Sequence, residues 1–479
     1  MALKNTLLTG TVLGAALLAA GAAQAQQTPA QMQAQMQAQI EALNKQLQVL
    51  QQQLLTLNDQ AFKSTDSPKV TVANGRPQIA SPKNDFNFAV RARAHFDYGA
   101  WFPRSATAGD LPDGFNFRRV YLGFTGKAFQ DFTYTLTADF AGRSGAGILY
   151  EASVNYAVPG VPGLELQAGA WEQNFTLETA MSSNDIPFLE RSTPTNLASS
   201  LVASSSRTGF GFKYTQGKFF NATYLTGNNV GSADGLDDQL SAITRFGFLA
   251  ATASNYDLHI GADAAYMFKT PQTNTPNAVR SLQLRERPET RIGGGGVRFI
   301  DTGALDSQHY ALIGAELAGS YDAFWFMGEY YHHQISRRDN PVTAVVESDF
   351  DPKFNTYYLA AGWVITGERR KYKPADATFG APSPAKTLNA GGIGAWELAV
   401  RYSQSDLNWN EGIAGSATPT GGVRGGKQNA WTMGLNWYPN SFAKIMLNYQ
   451  IIDVKKLTAA GADGNIKANA ISTRVQFQF

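Results

Sequence analysis

The stretch Phe115-Asn-Phe-Arg-Arg-Val-Tyr-Leu-Gly-Phe-Thr-Gly126 (FNFRRVYLGFTG) combines two features that conflict in an ordinary strand. From Val120 onward, large apolar residues alternate with small or polar ones, which is the period of a half-buried β-strand. Two adjacent arginines, Arg118 and Arg119, precede this alternation without a neighbouring acid. We therefore expect a structure in which one face of the strand meets apolar surroundings and the other meets water.

The same alternation recurs from Asn84 to the end of the chain and predicts 16 strands. Their expected ranges are 87–98, 117–126, 132–140, 150–158, 164–172, 207–215, 218–227, 238–250, 256–269, 306–319, 322–336, 354–367, 392–406, 427–438, 441–454 and 468–479. Short turns, as at Gln216-Gly217 and Pro439-Asn440, alternate with long loops rich in Ser, Thr, Gly and Pro. This pattern is typical of an outer-membrane barrel, so we expect an all-β, 16-stranded antiparallel transmembrane barrel.

Composition agrees with a barrel and excludes several other classes of protein. The chain contains 46 Gly, 29 Phe and 19 Tyr, and only 16% of its residues are charged. A soluble β-sandwich or propeller is the alternative, but one face of its strands would carry Val, Ile and Leu rather than so many aromatic residues. There is no Cys, which excludes disulfides and thiolate chemistry. The net charge of +2 gives no reason to expect nucleic-acid binding.

Three segments are expected before the barrel domain, which is predicted over 84–479. Residues 1–25 have the pattern of a secretory signal peptide, with Lys4, an apolar run over 7–20 and a small-x-small site at Ala23-Gln-Ala25. Residues 26–62 are predicted to form a coiled-coil helix, and 63–83 a linker. The heptad seam consists of Met36, Ile40, Leu43, Leu47, Leu50, Leu54 and Leu57. A solvated Gln-rich spacer is the alternative to the coiled coil.

The longest loop follows the fifth predicted strand and is expected to narrow the lumen. It runs over about 173–206 and contains a compact apolar kernel at 186–189, with Arg191 beside it. Such a kernel suits a loop that folds inward against the barrel wall. A barrel of 16 strands is wide enough to leave an aqueous lumen, so function depends on what this loop leaves open.

Arginines are the candidate functional residues of the lumen. Arg119 lies in phase with Tyr121, and placing it on the lipid face would cost roughly 2–4 kcal/mol near the midplane. We therefore expect Arg119 to face the lumen, with Arg93, Arg118 and Arg191 near it. Unpaired guanidiniums in a narrow pore bind oxyanions and select by sign. The alternative is that Arg118, Arg119 and Arg191 form ion pairs, for which Glu190 and Glu172 are possible partners.

Two further basic groups fall in long connections. The first comprises Arg280, Arg285, Arg287 and Arg291, and the second Arg369, Arg370, Lys371, Lys373 and Lys386. Arg285 and Arg287 are two residues apart, so in an extended segment both would point the same way. By counting strands, the second group lies on the periplasmic side. Solvated basic loops are the alternative for both groups.

Five segments, in this order, resemble the phosphate-selective porin O/P family. They are Phe117–Gly126 (FRRVYLGFTG), the Ser182-Ser…Leu189-Glu-Arg191 loop, Thr366-Gly-Glu, Gly394–Tyr402 (GAWELAVRY) and Gly434–Tyr438 (GLNWY). The similarity covers most of 84–479. It implies a 16-stranded, trimeric outer-membrane channel with an arginine-lined path and a central anion site.

The resemblance also assigns roles to individual positions. Four residues match the family's constriction: Arg118, Arg119, Tyr121 and Arg191. Arg93 matches a basic position on its wall. Three residues match its arginine ladder: Arg285, Arg287 and Arg291. Where phosphate-selective members carry a lysine just before the Ser-Ser of the inward loop, this chain has Thr179, with Glu172 close by. Two alternatives therefore remain, namely a channel with strict phosphate selectivity and a channel for a broader range of anions.

The expected function is a passive channel for small anions, phosphate or polyphosphate, in the bacterial outer membrane. We expect a homotrimer embedded in the lipid bilayer, with the N-terminal helix in the periplasm and with no cofactor, metal or nucleic acid. The alternative is a general or sugar-type porin in which acids such as Asp185 or Glu190 oppose Arg119. An enzyme is not expected, because there is no G-x-S-x-G and the five His residues lack metal-ligand spacing.

Overall fold

The computed structural model describes residues 37–38, 40–53, 67–73, 75–141, 149–204, 206–230, 237–272, 280–293, 296–339 and 349–479. The chain divides into two units, Met1–Val70 and Thr71–Phe479. In the first unit, residues 37–38 and 40–53 are helical, and the side chains of Ile40, Leu47 and Leu50 are exposed. The predicted signal peptide and seam positions 36, 54 and 57 lie outside the described residues, so the coiled coil stays a prediction.

The second unit contains the strands of a barrel, numbered here β1 to β16. Their bounds are Asn87–Pro103, Gly114–Ala128, Phe132–Asp139, Leu149–Ala157, Leu164–Trp171, Arg207–Gln216, Phe219–Asn229, Leu240–Thr252, Tyr256–Lys269, Leu305–Tyr321, Phe324–Arg337, Lys353–Val364, Ala395–Trp409, Val423–Tyr438, Ala443–Lys455 and Ile466–Gln478. Each strand pairs antiparallel with the next one along the chain. Among the residues that the structure describes, no helix has both the length and the apolar character needed to cross a bilayer.

The barrel closes by pairing its last strand with its first. β16 runs antiparallel to β1 from Ala468 opposite Pro103 to Gln478 opposite Arg93. Closure satisfies the backbone N–H and C=O groups that an open edge would expose to lipid. The predicted all-β, 16-stranded antiparallel barrel is therefore confirmed.

Period-two alternation separates a lipid face from a lumen face, as the sequence predicts. On β2, Phe115, Phe117 and Leu122 are exposed on the outer face, whereas Arg119 and Tyr121 are buried inside. Outer-face rings of neighbouring strands touch, and the centroids of Phe96 and Phe115 lie 5.5 Å apart. Apolar side chains that no other part of this chain covers are what a lipid-facing surface requires.

Two short strands occupy part of the predicted linker. They are Lys69–Ala73 and Arg76–Ala80, and the second pairs with the start of β1 through Gln78 and Ala89. The connecting segment predicted over 63–83 thus contains two short strands. Gly75, whose φ of 77° suits glycine, separates the two strands, and Val72 and Ile79 supply apolar residues typical of strands.

Connection length alternates between the two ends of the barrel, with one exception. Turns such as 217–218 and 322–323 follow even-numbered strands, and longer loops such as 172–206 and 270–304 follow odd-numbered ones. The exception is the long connection 365–394 between β12 and β13, at the short-turn end. Its position makes this connection a candidate for a second inward-folding segment.

The lipid face can be tested by a charge at mid-strand. Leu359 lies in the middle of β12 and is 62% exposed. We expect Leu359→Arg to lower the free energy of unfolding in lipid vesicles by about 2–4 kcal/mol, because the guanidinium would lie at membrane depth. The control is Lys353→Arg at the end of the same strand, where the change should have almost no effect. Equal stability of the two variants in a denaturant titration would contradict the assigned lipid face.

Candidate functional site

A β-bulge explains the two adjacent arginines. His95 of β1 pairs with Arg119 of β2 and the next residue, Phe96, pairs with Phe117, so Arg118 has no residue opposite it. A bulge interrupts the regular alternation of side chains. Phe117 lies on the outer face, while Arg118 and Arg119 both line the same internal cavity. One strand therefore delivers two neighbouring guanidiniums to the lumen.

The connection between β5 and β6 folds into the barrel, as its apolar kernel predicts. It contains two helices, α1 (Leu177–Ala180) and α2 (Thr193–Ser200). Ile186 and Phe188 of the kernel are almost fully buried in one apolar cluster with Met327 of β11. This apolar packing holds the loop against the wall formed by β10 to β13 and leaves the opposite sector of the lumen to polar side chains.

Arg118 is neutralised by a carboxylate of the inward loop. Its guanidinium donates hydrogen bonds of 2.6 and 2.9 Å to Glu190. Glu190 also accepts from Arg474 of β16, at 3.0 Å. Burial by itself raises the pKa of the Glu190 carboxyl, but the charges of Arg118 and Arg474 hold that pKa well below its ordinary value. Arg118 is therefore not the bare cation that the sequence predicts.

Arg191 is likewise not a free cation, because it holds the inward loop together. It forms an ion pair of 2.9 Å with Glu172 and donates to the carbonyl oxygens of Glu178, Thr179 and Met181 at 2.9 to 3.0 Å. The ion-pair alternative thus describes both Arg118 and Arg191. A guanidinium with four acceptors is satisfied by the protein and gains little from a solute.

Arg119 and Arg291 differ from these two residues. Within the described part of the chain, neither has a carboxylate within ion-pair distance. Arg119 is buried, and its guanidinium lies 3.4 Å from Nδ1 of His95. The charge of Arg118, together with burial, lowers the pKa of Arg291 well below its ordinary value. Two guanidiniums that line one cavity without carboxylate partners are the feature expected of an oxyanion site.

Arg93 and Tyr121 lie next to this pair. Arg93 donates to the hydroxyls of Ser183 at 2.6 Å and Ser182 at 3.4 Å, and its guanidinium lies 5.4 Å from the centroid of Tyr121. Tyr121 contacts the ring of Tyr150, at 4.2 Å between centroids. Arg93 and Tyr121 line a small cavity of about 30 Å³, and Tyr121 also lines the main one. The two spaces therefore meet at Tyr121.

Arg285 and Arg287 do not point the same way. The extended segment containing Arg285 ends at Glu286, so the two-residue period does not continue to Arg287. Arg285 is exposed, whereas Arg287 is 5% exposed, lies 3.5 Å from Glu286 and lines the main cavity. The expectation of two parallel rungs is wrong, and only Arg287 and Arg291 of this group reach the cavity.

The main cavity has a volume of about 330 Å³ and a balanced charge. The charged side chains that line it are five arginines and five carboxylates: Arg118, Arg119, Arg191, Arg287 and Arg291, with Asp139, Glu172, Glu190, Glu286 and Glu289. Glu172, Glu190 and Glu289 are each held by an arginine. These three carboxylates therefore hold the walls of the cavity in place. Arg119 and Arg291 are the wall arginines for which the described residues provide no carboxylate partner.

The sequence model described as phosphate-selective porin O and P matches residues 88–479. This match spans the whole barrel, including the bulge and the inward loop. The chain belongs to this family. The phosphate-selective porin family consists of outer-membrane anion channels, so the protein is a channel of that membrane and not an enzyme.

Several individual proteins are similar to this chain. The porin is 26% identical over 449 residues to Porin O of Pseudomonas aeruginosa, a match that covers 89% of this chain and 97% of that protein. Among solved structures, OmpT of Vibrio cholerae lacking loop L8 has a TM-score of 0.49 at 10% identity, covering 82% of this chain and 100% of that one. An anion-selective porin from Comamonas acidovorans has a TM-score of 0.45 at 10% identity, with coverage of 82% and 100%.

The basic group at 369–386 is divided, because Lys371, Lys373 and Lys386 are exposed whereas Arg369 and Arg370 are not. Arg370 is buried and donates to both carboxylate oxygens of Glu397, at 2.6 and 2.8 Å. Arg369 lies 3.3 Å from Asp257, and Lys373 lies 2.6 Å from Asp185 of the inward loop. The connection 365–394 therefore folds inward from the opposite end and ties itself to the inward loop.

One group of carboxylates has the spacing of a metal site. Single oxygens of Asp263, Glu316 and Glu329 lie within 4.8 Å of one another. Glu316 already accepts from Arg245 at 2.7 and 3.0 Å, and Glu329 accepts from the backbone N–H of Leu177 at 2.6 Å. These contacts anchor α1 to the wall, so the cluster is an attachment point of the inward loop.

Sequence reasoning missed the serines of the cavity and the buried arginines of the far wall. Ser199, Ser200 and Ser206 line the cavity, and Arg401 holds Glu289 there at 2.7 Å. The signal for the serines was the Ser-rich run at the end of the inward loop, and the signal for Arg401 was its lumen phase on a predicted strand. The lumen phase of Arg401 does not indicate its partner, because Glu289 lies 112 positions away in the sequence.

The Glu190 carboxylate gives the porin a predictable response to acid. Because the pKa of Glu190 is depressed in the fold, its stabilisation is present above the unfolded pKa of about 4.3 and is lost as pH falls towards the folded value. We expect Glu190→Gln to lower the free energy of unfolding at pH 7 by about 3–5 kcal/mol, since Arg118 and Arg474 lose a buried partner. The variant should also lose less stability than the wild type between pH 5 and pH 3. Parallel curves in a denaturant titration would contradict this role.

Proposed function

We propose that the porin conducts small anions, with phosphate foremost, through the sector lined by Arg119, Arg291 and Arg93. The observation that carries this proposal is that Arg119 and Arg291 line the same cavity and that neither has a carboxylate partner in the described ranges. An oxyanion that enters the cavity supplies the missing counter-charge. Forked N–H donors fit phosphate oxygens, and a guanidinium without a carboxylate partner repels cations at its position.

Arg118, Arg191 and Arg287 have a supporting role in this proposal. Arg118 and Arg191 set the shape of the cavity through Glu190 and Glu172, and their charge still adds to the local positive field. Arg285 has no part in the path, because it is exposed and does not line the cavity. Tyr121 marks the junction towards Arg93. Polyphosphate fits the same chemistry, since successive phosphate groups can occupy successive guanidiniums.

Ion selectivity tests the proposal directly. In planar bilayers, we expect the wild type to prefer chloride over potassium and phosphate to block the chloride current. Arg119→Ala and Arg291→Ala should each raise the half-blocking phosphate concentration by roughly ten- to hundredfold, because a hydrogen bond to a charged group contributes about 1.5–3 kcal/mol. The matched control is Arg285→Ala, whose chloride current phosphate should block at the same concentration as in the wild type. Cation preference of the wild type would rule out the anion channel.

A general porin is the second candidate, and the even number of arginines and carboxylates in the cavity favours it. Opposed charges create a transverse field that orients dipolar solutes such as sugars instead of selecting by sign. The two functions differ in the reversal potential across a KCl gradient. A reversal potential near zero, with no block by phosphate, would favour the general porin.

We propose that the porin is a homotrimer whose N-terminal helix associates with its copies in the periplasm. The exposed side chains of Ile40, Leu43, Leu47 and Leu50 support this, because an a/d stripe in a short helix is stable only when it is packed against a partner. Removal of the predicted signal peptide over 1–25 stays a prediction.

Truncation separates assembly from conduction. We expect a variant lacking residues 26–60 to form trimers that dissociate at lower temperature in semi-native electrophoresis, because the helical contacts are lost. Its single-channel conductance should equal that of the full-length chain, which controls for folding of the barrel. An unchanged dissociation temperature would show that the helix does not stabilise the trimer.

A further inference from the structure

We propose that the main cavity selects organic phosphates whose carbon part carries hydroxyl groups, that is, phosphate monoesters of polyols. This inference rests on the proposed anion channel and concerns the part of the solute that Arg119 and Arg291 do not contact. Two independent observations support it, namely the size of the cavity and the direction in which its serine hydroxyls donate.

The cavity is larger than an inorganic anion needs. Its volume of about 330 Å³ falls within the range of about 300–1,000 Å³ that is usual for sites of small organic ligands. A water molecule takes about 30 Å³ of liquid volume, so an anion with four oxygen atoms fills well under half of the space. A phosphate bound by Arg119 or by Arg291 leaves room in the cavity for several more non-hydrogen atoms beside it.

The serines of the cavity present acceptors rather than donors. Ser199 donates its proton to the carbonyl oxygen of Thr195 at 3.0 Å, and Ser200 donates to that of Leu197 at 3.2 Å. Ser206 donates to the carbonyl oxygen of Tyr150 at 2.9 Å. A hydroxyl has one proton and two lone pairs, so each of these oxygens keeps acceptor capacity for a solute. The wall therefore complements hydrogen-bond donors.

Polyol hydroxyls fit this wall better than a second anion or an ammonium group. At the serine side of the cavity, a second anionic group would face hydroxyl oxygens whose protons are already donated elsewhere. An ammonium group would need uncompensated negative charge, yet Glu172, Glu190 and Glu289 are already held by Arg191, Arg118 and Arg401, and Asp139 accepts from the backbone N–H groups of Val120 and Ala141. Neutral hydroxyls need neither a positive nor a negative partner, and they can donate hydrogen bonds directly to the serine oxygens.

The inference predicts an order among blocking solutes. In planar bilayers with the full-length wild type, we expect glycerol 3-phosphate to block the chloride current at a concentration about two- to tenfold below that of methyl phosphate, because each added neutral hydrogen bond contributes modestly. Glycerol alone should not block. Methyl phosphate is the matched solute, since it has the same phosphate head without hydroxyl donors.

Substitutions of Ser199 and Ser200 test whether these serines cause the stronger block by glycerol 3-phosphate. We expect Ser199→Ala/Ser200→Ala to abolish the advantage of glycerol 3-phosphate over methyl phosphate. Ser416→Ala, on an exposed loop away from the cavity, is the control and should keep the advantage. Heat-dependent migration in semi-native electrophoresis equal to that of the wild type shows that a variant is correctly folded.

The outcomes separate this inference from the anion channel on which it rests. Equal block of the wild type by glycerol 3-phosphate and methyl phosphate would overturn the polyol preference while leaving the anion channel intact. An advantage that persists in the double variant would overturn the role of the serines. Absence of block by every phosphate compound, with cation preference, would overturn both proposals.

Discussion

A guanidinium removed from water needs a counter-charge, and the interior of this barrel is arranged around that requirement. Four arginines are almost fully buried and held by carboxylates within the lumen: Arg245 by Glu316, Arg370 by Glu397, Arg401 by Glu289 and Arg474 by Asp97. Removing either partner of such a pair would leave an isolated buried charge. The pairs therefore fix the inward segments in place. Arg119 and Arg291 differ from these four arginines because no carboxylate of the described residues pairs with them.

The same pairs decide where a solute can fit. Salt bridges and apolar packing fill the sector next to β10 to β14, and the 365–394 connection joins the inward loop through Lys373 and Asp185. The main cavity instead lies beside β2, β3 and β4, from which Arg119, Asp139 and Tyr150 line it. Because the loop is anchored on one side by packing and on the other by Arg191, the open space has fixed walls.

The barrel could be predicted from the sequence, whereas the partners inside it could not. Strand periodicity is local, so the 16 strands and the inward loop followed from alternation and from the kernel at 186–189. The bulge at Arg118 depends on the register of β1 against β2, which no local pattern reveals. Arg118 and Glu190 are 72 positions apart, so their pairing appears only after the loop has folded inward. A cation in the lumen was predictable, but its neutralisation was not.

Thr179 shows that a polar residue of the inward loop can have a structural role. Its side chain is 3% exposed, its carbonyl oxygen accepts from Arg191, and the residue does not line the main cavity. The position therefore contributes to holding the loop and not to the charge of the cavity wall. Conduction requires binding that is favourable enough for entry and weak enough for release. Arginines that the fold already neutralises, such as Arg118 and Arg191, add little to that binding, so the charge available to a solute depends on Arg119 and Arg291.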